Sequence, residues 1–319
     1  MASSATSSST SGRFSETTSD PQAARTAVNH PGRPGIAVFG TTFQNPVLLS
    51  AGTAGFGREV AGVIALTELG GIVTKAVSPE PRAGHPAPRV AEFPGGMLNA
   101  VGLANPGLEY VVERELPWLE RHAGPAKVIV NVVGSRVDDF VTVARKVSEH
   151  AVVAAVELNV SCPNTERGGL EFGADAGVLS DLVRRCRGAT DRPVIVKLAP
   201  NLTDLGVVVD AVAEAGAAGF TLFNTMPGTL SSENGGGGSR LGFGRGGVSG
   251  PGLLPVGVLA TATVTARTGL PVIGVGGIRS YRDACQYLDA GASLVAVGTA
   301  ALANPRIPAR IARDWSRHG

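Results

Sequence analysis

Cysteine is scarce in this chain, with only Cys162, Cys186 and Cys285 among 319 residues. None has CxxC or any other metal-ligand spacing, so no metal site is expected, and an odd number does not make a disulfide framework. A reduced, cytoplasmic setting is the expectation. Net charge is also small, at +2, which argues against nucleic acid or a membrane surface as a partner. No stretch approaches the roughly 18 consecutive apolar residues of a transmembrane helix. The G-x-G-x-x-G fingerprint of a dinucleotide-binding domain is missing after the first strand.

What is present is an apolar, glycine-rich chain, 43% hydrophobic and with 44 glycines. Outside the N-terminus those glycines sit between apolar runs, as tight turns and close backbone approaches require. Residues 1 to 34 differ: they are rich in Ser, Thr and Ala, with Pro21, Pro31 and Pro34 and almost no large apolar side chains. Such a segment cannot bury enough surface to offset its ordering entropy, so it reads as a disordered tail. It has neither the apolar core of a signal peptide nor an amphipathic helical pattern.

From residue 35 onward, short apolar runs alternate with longer helical patterns. Strands are expected near 46–50, 71–75, 127–132, 155–160, 194–198, 219–223, 271–275 and 293–297. Helices are expected near 58–69, 107–120, 137–149, 176–188, 204–215, 253–267, 281–289 and 305–315. Strands each followed by a helix make a (β/α)8 TIM barrel over 35–319 the economical α/β architecture, with an open doubly wound sheet as the alternative.

In a barrel the active site lies at the C-terminal ends of the strands. Here those ends are polar: Thr74-Lys75, Asn131, Asn159 with Cys162, Lys197, and Asn224-Thr225. So many polar groups converging on one mouth point to a large polar ligand. The last two strands run instead into Gly276-Gly277 and Gly298-Thr299. Glycine after a strand is usually only a turn, but at these two positions of a barrel it also lets backbone N–H groups approach a phosphate. The tract 234–247 reads as a flexible loop over 235–238, while the glycines near 246–250 allow the backbone to close on a ligand.

The run Glu157-Leu158-Asn159-Val160-Ser161-Cys162-Pro163-Asn164 is a strand that stops at a proline. Taken alone, its cysteine reads as inert core beside a turn rather than as chemistry. Lys75 and Lys197 taken alone read equally as surface charges at strand ends.

Together these stretches resemble the dihydroorotate dehydrogenase family over about residues 36 to 305. The matching stretches are SAGTAGFGRE (50–59), TKAVSPEPRAGHPAPRV (74–90), MLNAVGLANPG (97–107), NVVG (131–134), ELNVSCPN (157–164), VKL (196–198), FNT (223–225), GGVSGP (246–251), GVGGI (274–278) and VGTA (298–301). The resemblance implies an FMN-binding barrel that oxidises dihydroorotate to orotate in pyrimidine biosynthesis. It makes Cys162 the catalytic base for the C5 proton, with Lys75 beside it, while hydride passes from C6 to the flavin. It places the substrate among Lys75, Asn99, Ala100, Val101, Gly102, Leu103, Asn159, Asn164, Asn224 and Thr225. It places FMN among Ala51, Lys75, Ala76, Asn131, Asn159, Lys197, Phe223, Gly250, Gly276, Gly277, Gly298 and Thr299. Arg58, Glu59, Arg82 and Arg89 also fall in matching stretches, and nothing in their spacing demands chemistry.

The residue types suit that reaction. Asparagine carboxamides both donate and accept, as a cyclic ureide requires. Lys75 can pair with the substrate carboxylate, and Lys197 can stabilise an anionic reduced flavin. A serine in place of Cys162 would mark the membrane-associated, quinone-linked class of the family. The segment 168–175 and the run 97–107 look more like the NAD-linked class than the fumarate-linked one. That class implies a separate electron-transfer subunit carrying FAD and an iron–sulphur cluster, and a homodimer or a dimer-based heterotetramer. A flavin enzyme acting on another cyclic amide, such as a dihydropyrimidine, and a non-catalytic FMN-binding protein are the alternatives.

Overall fold

The computed structural model describes residues 35–161, 163–164, 170–202, 204–232 and 237–318. The tail reading of residues 1–34 and the base reading of Cys162 both fall outside the described residues. Eight parallel strands close into a barrel in chain order. They are β1 Val47–Leu49, β2 Gly71–Val73, β3 Lys127–Val132 and β4 Val153–Asn159. The circle continues with β5 Val194–Lys197, β6 Gly219–Leu222, β7 Val272–Val275 and β8 Leu294–Val297, which pairs back onto β1. Every strand expected from the apolar runs is present, and the closed barrel replaces the open-sheet alternative.

The two faces of these strands build two separate cores, because successive side chains in a strand point to opposite sides. Outward residues such as Leu49, Ile72, Val130, Leu158, Val196 and Val295 pack with the surrounding helices. Inward residues such as Leu48, Val73, Ile129, Ala155, Ile195 and Ile273 fill the lumen. A hairpin of Ile36–Val38 and Thr41–Phe43 closes the N-terminal end, adding Val38, Phe39 and Phe43 to the luminal core. Its two turn residues, Phe39 and Gly40, both have positive φ (52° and 67°), as a two-residue turn of primed type requires.

The helices begin where side chains can satisfy their free N–H groups. Asp175 caps the helix Ala176–Ala189, Asp204 caps Leu205–Glu214 and Ser280 caps Tyr281–Asp289. Two expected helices are altered. The pattern over 58–69 yields only a turn at Arg58–Ala61 and a 3₁₀ turn at Leu66–Glu68, because Gly62 interrupts it with the weakest helix former after proline. The pattern over 107–120 widens into a π turn at Val111–Glu115, just before Pro117, which has no N–H to continue the ladder.

Cys186 lies in the outer core, and burial pushes its thiol from 9.0 up to about 12. The folded state therefore holds this proton more tightly than the unfolded chain. The associated stability is complete below about pH 9 and is lost as pH rises towards 12. Cys186→Val should remove this loss, worth about 1 kcal/mol by about pH 10. Denaturant midpoints of both proteins at about pH 7 and about pH 10 should diverge in the wild type and converge in the variant.

Candidate active site

The lumen changes character along its length. Two residues beyond the apolar luminal layer, the same inward phase reaches Asn131 from Ile129, Glu157 from Ala155 and Lys197 from Ile195. Neighbours in register are Asn131 with Glu157, Asn159 with Lys197, and Lys197 with Thr221. All of these are buried, Asn131 and Glu157 at 1% exposure and Lys197 at 5%. A polar layer thus sits on an apolar one at the C-terminal mouth.

Its hydrogen bonds are only partly complete. Asn131 Nδ2 donates to Glu157 Oε1 at 2.6 Å, and Thr221 Oγ1 donates to Glu157 Oε2 at 2.5 Å. Thr74 Oγ1 accepts from the Asn131 backbone N–H at 3.2 Å. Asn131 Oδ1 is buried and has no partner among the described residues. Asn224 Nδ2 reaches Asn159 Oδ1 at 3.3 Å and Ser161 Oγ at 3.0 Å, so two carboxamides from β4 and the segment after β6 meet. Among the described residues neither Lys75 nor Lys197 forms an ion pair.

Over the mouth lies an antiparallel sheet that the apolar pattern does not announce. Its strands, in spatial order, are Met226–Gly228, Gly246–Ser249, Gly96–Asn99 and Val90–Phe93. Two insertions, after β2 and after β6, therefore join, with Gly247 opposite Asn99. Asn99 Nδ2 adds a 3.2 Å bond to the Gly247 carbonyl. Ala100 packs with Ala91, Leu98 and Leu241 in a small core. His85 stacks on Phe243 at 3.6 Å, a second tie between the insertions. Residues 235 and 236 of the tract read as a flexible loop lie outside the described residues.

Gly102 and Leu103 follow in left-handed backbone (φ 72° and 58°). Their bend is held by Asn105, whose Oδ1 accepts from Ser78 N and Gly107 N while Nδ2 donates to Ser78 Oγ and the Leu103 carbonyl. Sequence reasoning gave Asn105 no role, although its position between a glycine-bent run and a proline is the signal of an anchoring turn residue.

Beyond β7, Gly276 and Gly277 have φ of 125° and 71°. A Cβ on Gly277 would lie 2.7 Å from the Leu254 backbone N, so only glycine fits. The Gly276 carbonyl and that of Val275 accept from Tyr287 Oη at 2.8 and 3.0 Å. Tyr287 is fully buried, and Gly257 and Gly274 leave the room that its ring occupies. Its role was hidden, since within a helical pattern it reads as ordinary core. Thr299 Oγ1 donates to Ser249 Oγ at 2.7 Å, linking the end of β8 to the overlying sheet next to Gly250.

The structure thus gathers Lys75, Asn131, Asn159, Lys197, Phe223, Asn224 and Thr225 from strand ends β2 to β6, and the glycines from β7 and β8. Ala51 and Ala76 follow β1 and β2 directly. Asn164 pairs through its backbone with Leu170, and its side chain lies outside the described residues. The charged residues without an assigned chemistry are held in local contacts. Arg58 pairs with Glu115 at 2.8 Å, Glu59 accepts from Phe56 N, Arg82 donates to Ser135 and Arg89 to the His85 and Ala83 carbonyls. Two surface grooves, one around Arg58 and Arg121 and one around Phe39 and Arg192, include none of the residues expected to hold substrate or FMN.

These features define a class: a (β/α)8 enzyme whose ligands enter the C-terminal mouth under a two-insertion sheet. The family model for dihydroorotate dehydrogenase matches residues 35–317, and the chain belongs to that family. It is 43% identical over 279 residues to a Geobacillus kaustophilus protein named dihydroorotate dehydrogenase B (NAD(+)), catalytic subunit, covering 88% of each chain. A Bacillus cytotoxicus protein of the same name is 45% identical over 275 residues, 85% of this chain and 87% of the relative. The family consists of FMN enzymes that convert dihydroorotate to orotate. The residues here fit such a cofactor: among the described residues a buried carboxamide oxygen has no donor and the buried Lys197 no ion pair.

Two anchoring residues should separate by readout. Asn105→Ala leaves Ser78 N and Gly107 N without their acceptor and should raise KM for dihydroorotate about tenfold, with FMN content unchanged. Tyr287→Phe frees the Gly276 carbonyl and should instead weaken FMN binding and cost about 1 kcal/mol of stability. Steady-state kinetics, flavin content and denaturant unfolding distinguish the two.

Proposed function

We propose that the mouth of this barrel oxidises (S)-dihydroorotate to orotate with Cys162 as the base. The observation that carries this reading is the pairing of two lysines, neither ion-paired among the described residues, with coupled carboxamides at a single mouth. Lys75 would take the substrate carboxylate as its partner. Asn99, Asn159, Asn164 and Asn224, with Thr225 beside them, would meet the alternating N–H and C=O groups of the ring, and the bend at 100–103 would close one side. Cys162 Sγ would take the C5 proton, for which a thiol of ordinary pKa about 8.5 works best at mildly alkaline pH. FMN, when bound, accepts the hydride from C6. Asn131, Lys197, Phe223 and the glycines 250, 276, 277 and 298, with Thr299, Ala51 and Ala76, would hold it. Lys197 contributes a fixed positive charge at the floor of the site.

The names of the relatives support an NAD-linked acceptor reached through a separate electron-transfer subunit. We take that partner to carry FAD and an iron–sulphur cluster, on a dimer of this chain. Residues 35–319 form one domain in this reading, in the cytoplasm. Among the described residues no helix is long and apolar enough to cross a membrane.

Anaerobic addition of dihydroorotate to the purified protein should bleach the flavin absorbance. Bleaching by dihydrouracil alone, or an oxidised spectrum that persists, would refute the substrate assignment. Cys162→Ala should slow bleaching by about a hundredfold to ten-thousandfold while FMN stays bound. Purification from the native cell should bring a flavin and iron–sulphur subunit with this chain, and its absence would remove the NAD-linked assignment.

A further inference from the structure

Glu157 has no part in the reaction described above, yet it occupies the centre of the site's floor. It is 1% exposed, points into the lumen from β4, and among the described residues forms no ion pair. A carboxyl group so placed is costly to bury, and an apolar residue would fill the volume at less cost. Its two oxygens are occupied by two donors, Asn131 Nδ2 at 2.6 Å and Thr221 Oγ1 at 2.5 Å. The second bond holds the carboxylate against rotation, and the first decides which way the Asn131 carboxamide faces. Because a carboxylate oxygen accepts, Asn131 must turn its NH₂ towards Glu157 and its Oδ1 away. That Oδ1 is buried and has no partner among the described residues. An acceptor held in this state calls for a donor on the ligand.

We infer that Glu157 is a positioning residue that fixes Asn131 with Oδ1 presented as the acceptor for the ring N–H of the flavin. The inference rests on the reading of this mouth as an FMN site. Oxidised isoalloxazine has one ring N–H, at N3, so only one carboxamide orientation is complementary to it. With the carboxamide reversed, an N–H would face an N–H. Glu157 thereby acts on the cofactor through Asn131.

The test is FMN affinity of the full-length chain, measured by flavin-fluorescence titration with FMN and with N3-methyl FMN. The wild type should bind the methylated flavin about tenfold more weakly, the effect of one lost hydrogen bond. Asn131→Ala and Glu157→Leu should each weaken FMN binding about tenfold and abolish discrimination between the two flavins. The double variant should bind no more weakly than either single one, because the second change acts through the first. Glu157→Gln should retain most of the affinity, since one oxygen can still receive Asn131 while the Thr221 hydroxyl reverses to accept. Should Glu157→Leu fail to fold, Thr221→Val, which releases one carboxylate oxygen, takes its place in the cycle.

Equal wild-type affinity for the two flavins would overturn the inference and would assign the donor to a ribityl hydroxyl. Losses that multiply to about a hundredfold in the double variant would also overturn it, leaving Glu157 as a structural group. A wild-type chain that binds neither flavin would refute the FMN reading itself.

Discussion

Inside a closed barrel, a polar side chain has no bulk water to turn to. Each inward group must be paired within the lumen or by whatever enters its mouth. The lower lumen meets this constraint with Leu48, Ile129, Ile195 and the hairpin plug. The upper lumen meets it with the chain of bonds from Thr74 through Asn131 and Glu157 to Thr221. Where that chain stops, at Asn131 Oδ1 and the Lys197 ammonium, the protein has polar capacity left for a ligand. The change from apolar to polar within two residues of each strand is what places a reaction at this end of the barrel.

The walls above that floor depend on glycine and on backbone pairing more than on bulk. Gly277 exists because Leu254 comes too close for a side chain, and Gly257 and Gly274 exist because Tyr287 fills their side-chain volume. Tyr287 then ties down the carbonyls of Val275 and Gly276. A buried aromatic on an outer helix in this way fixes the backbone beside the proposed phosphate position. Asn105 plays the corresponding part on the substrate side, where one carboxamide holds two backbone N–H groups, a hydroxyl oxygen and a carbonyl.

The barrel was legible in the sequence because its strands are compact runs of Val, Ile and Leu buried on both faces, bounded by glycine, proline and capping Asp or Ser. The polar strand ends were legible for the same reason, since they interrupt that pattern at the correct end. The sheet over the mouth was not, because Val90–Phe93 and Gly96–Asn99 contain Glu92 and Gly96 and alternate too briefly, and their partner strand is far away in sequence. Glu157 read simply as part of a strand, because its meaning depends on Asn131 and Thr221 from other strands. The helix expected over 58–69 was overextended because its apolar spacing continues through Gly62. Residue roles at the site came from family resemblance, and geometry independently brings Asn159 to Asn224 and leaves the two lysines without an ion pair among the described residues.

The two-insertion sheet also orders events during synthesis. Asn99 is made 148 residues before Gly247, its partner across the sheet. Contacts of such long sequence separation require loop closure before they return any stabilisation. A ribosome-bound chain can therefore assemble β1 to β5 while the roof of the site is still missing. During that interval Gly96–Asn99 is paired on one side only, with Val90–Phe93, and open strand edges of this kind are where nascent chains associate wrongly. The roof of the site thus cannot form before Ser249 is made, and the barrel beneath it closes later still, when β8 reaches β1.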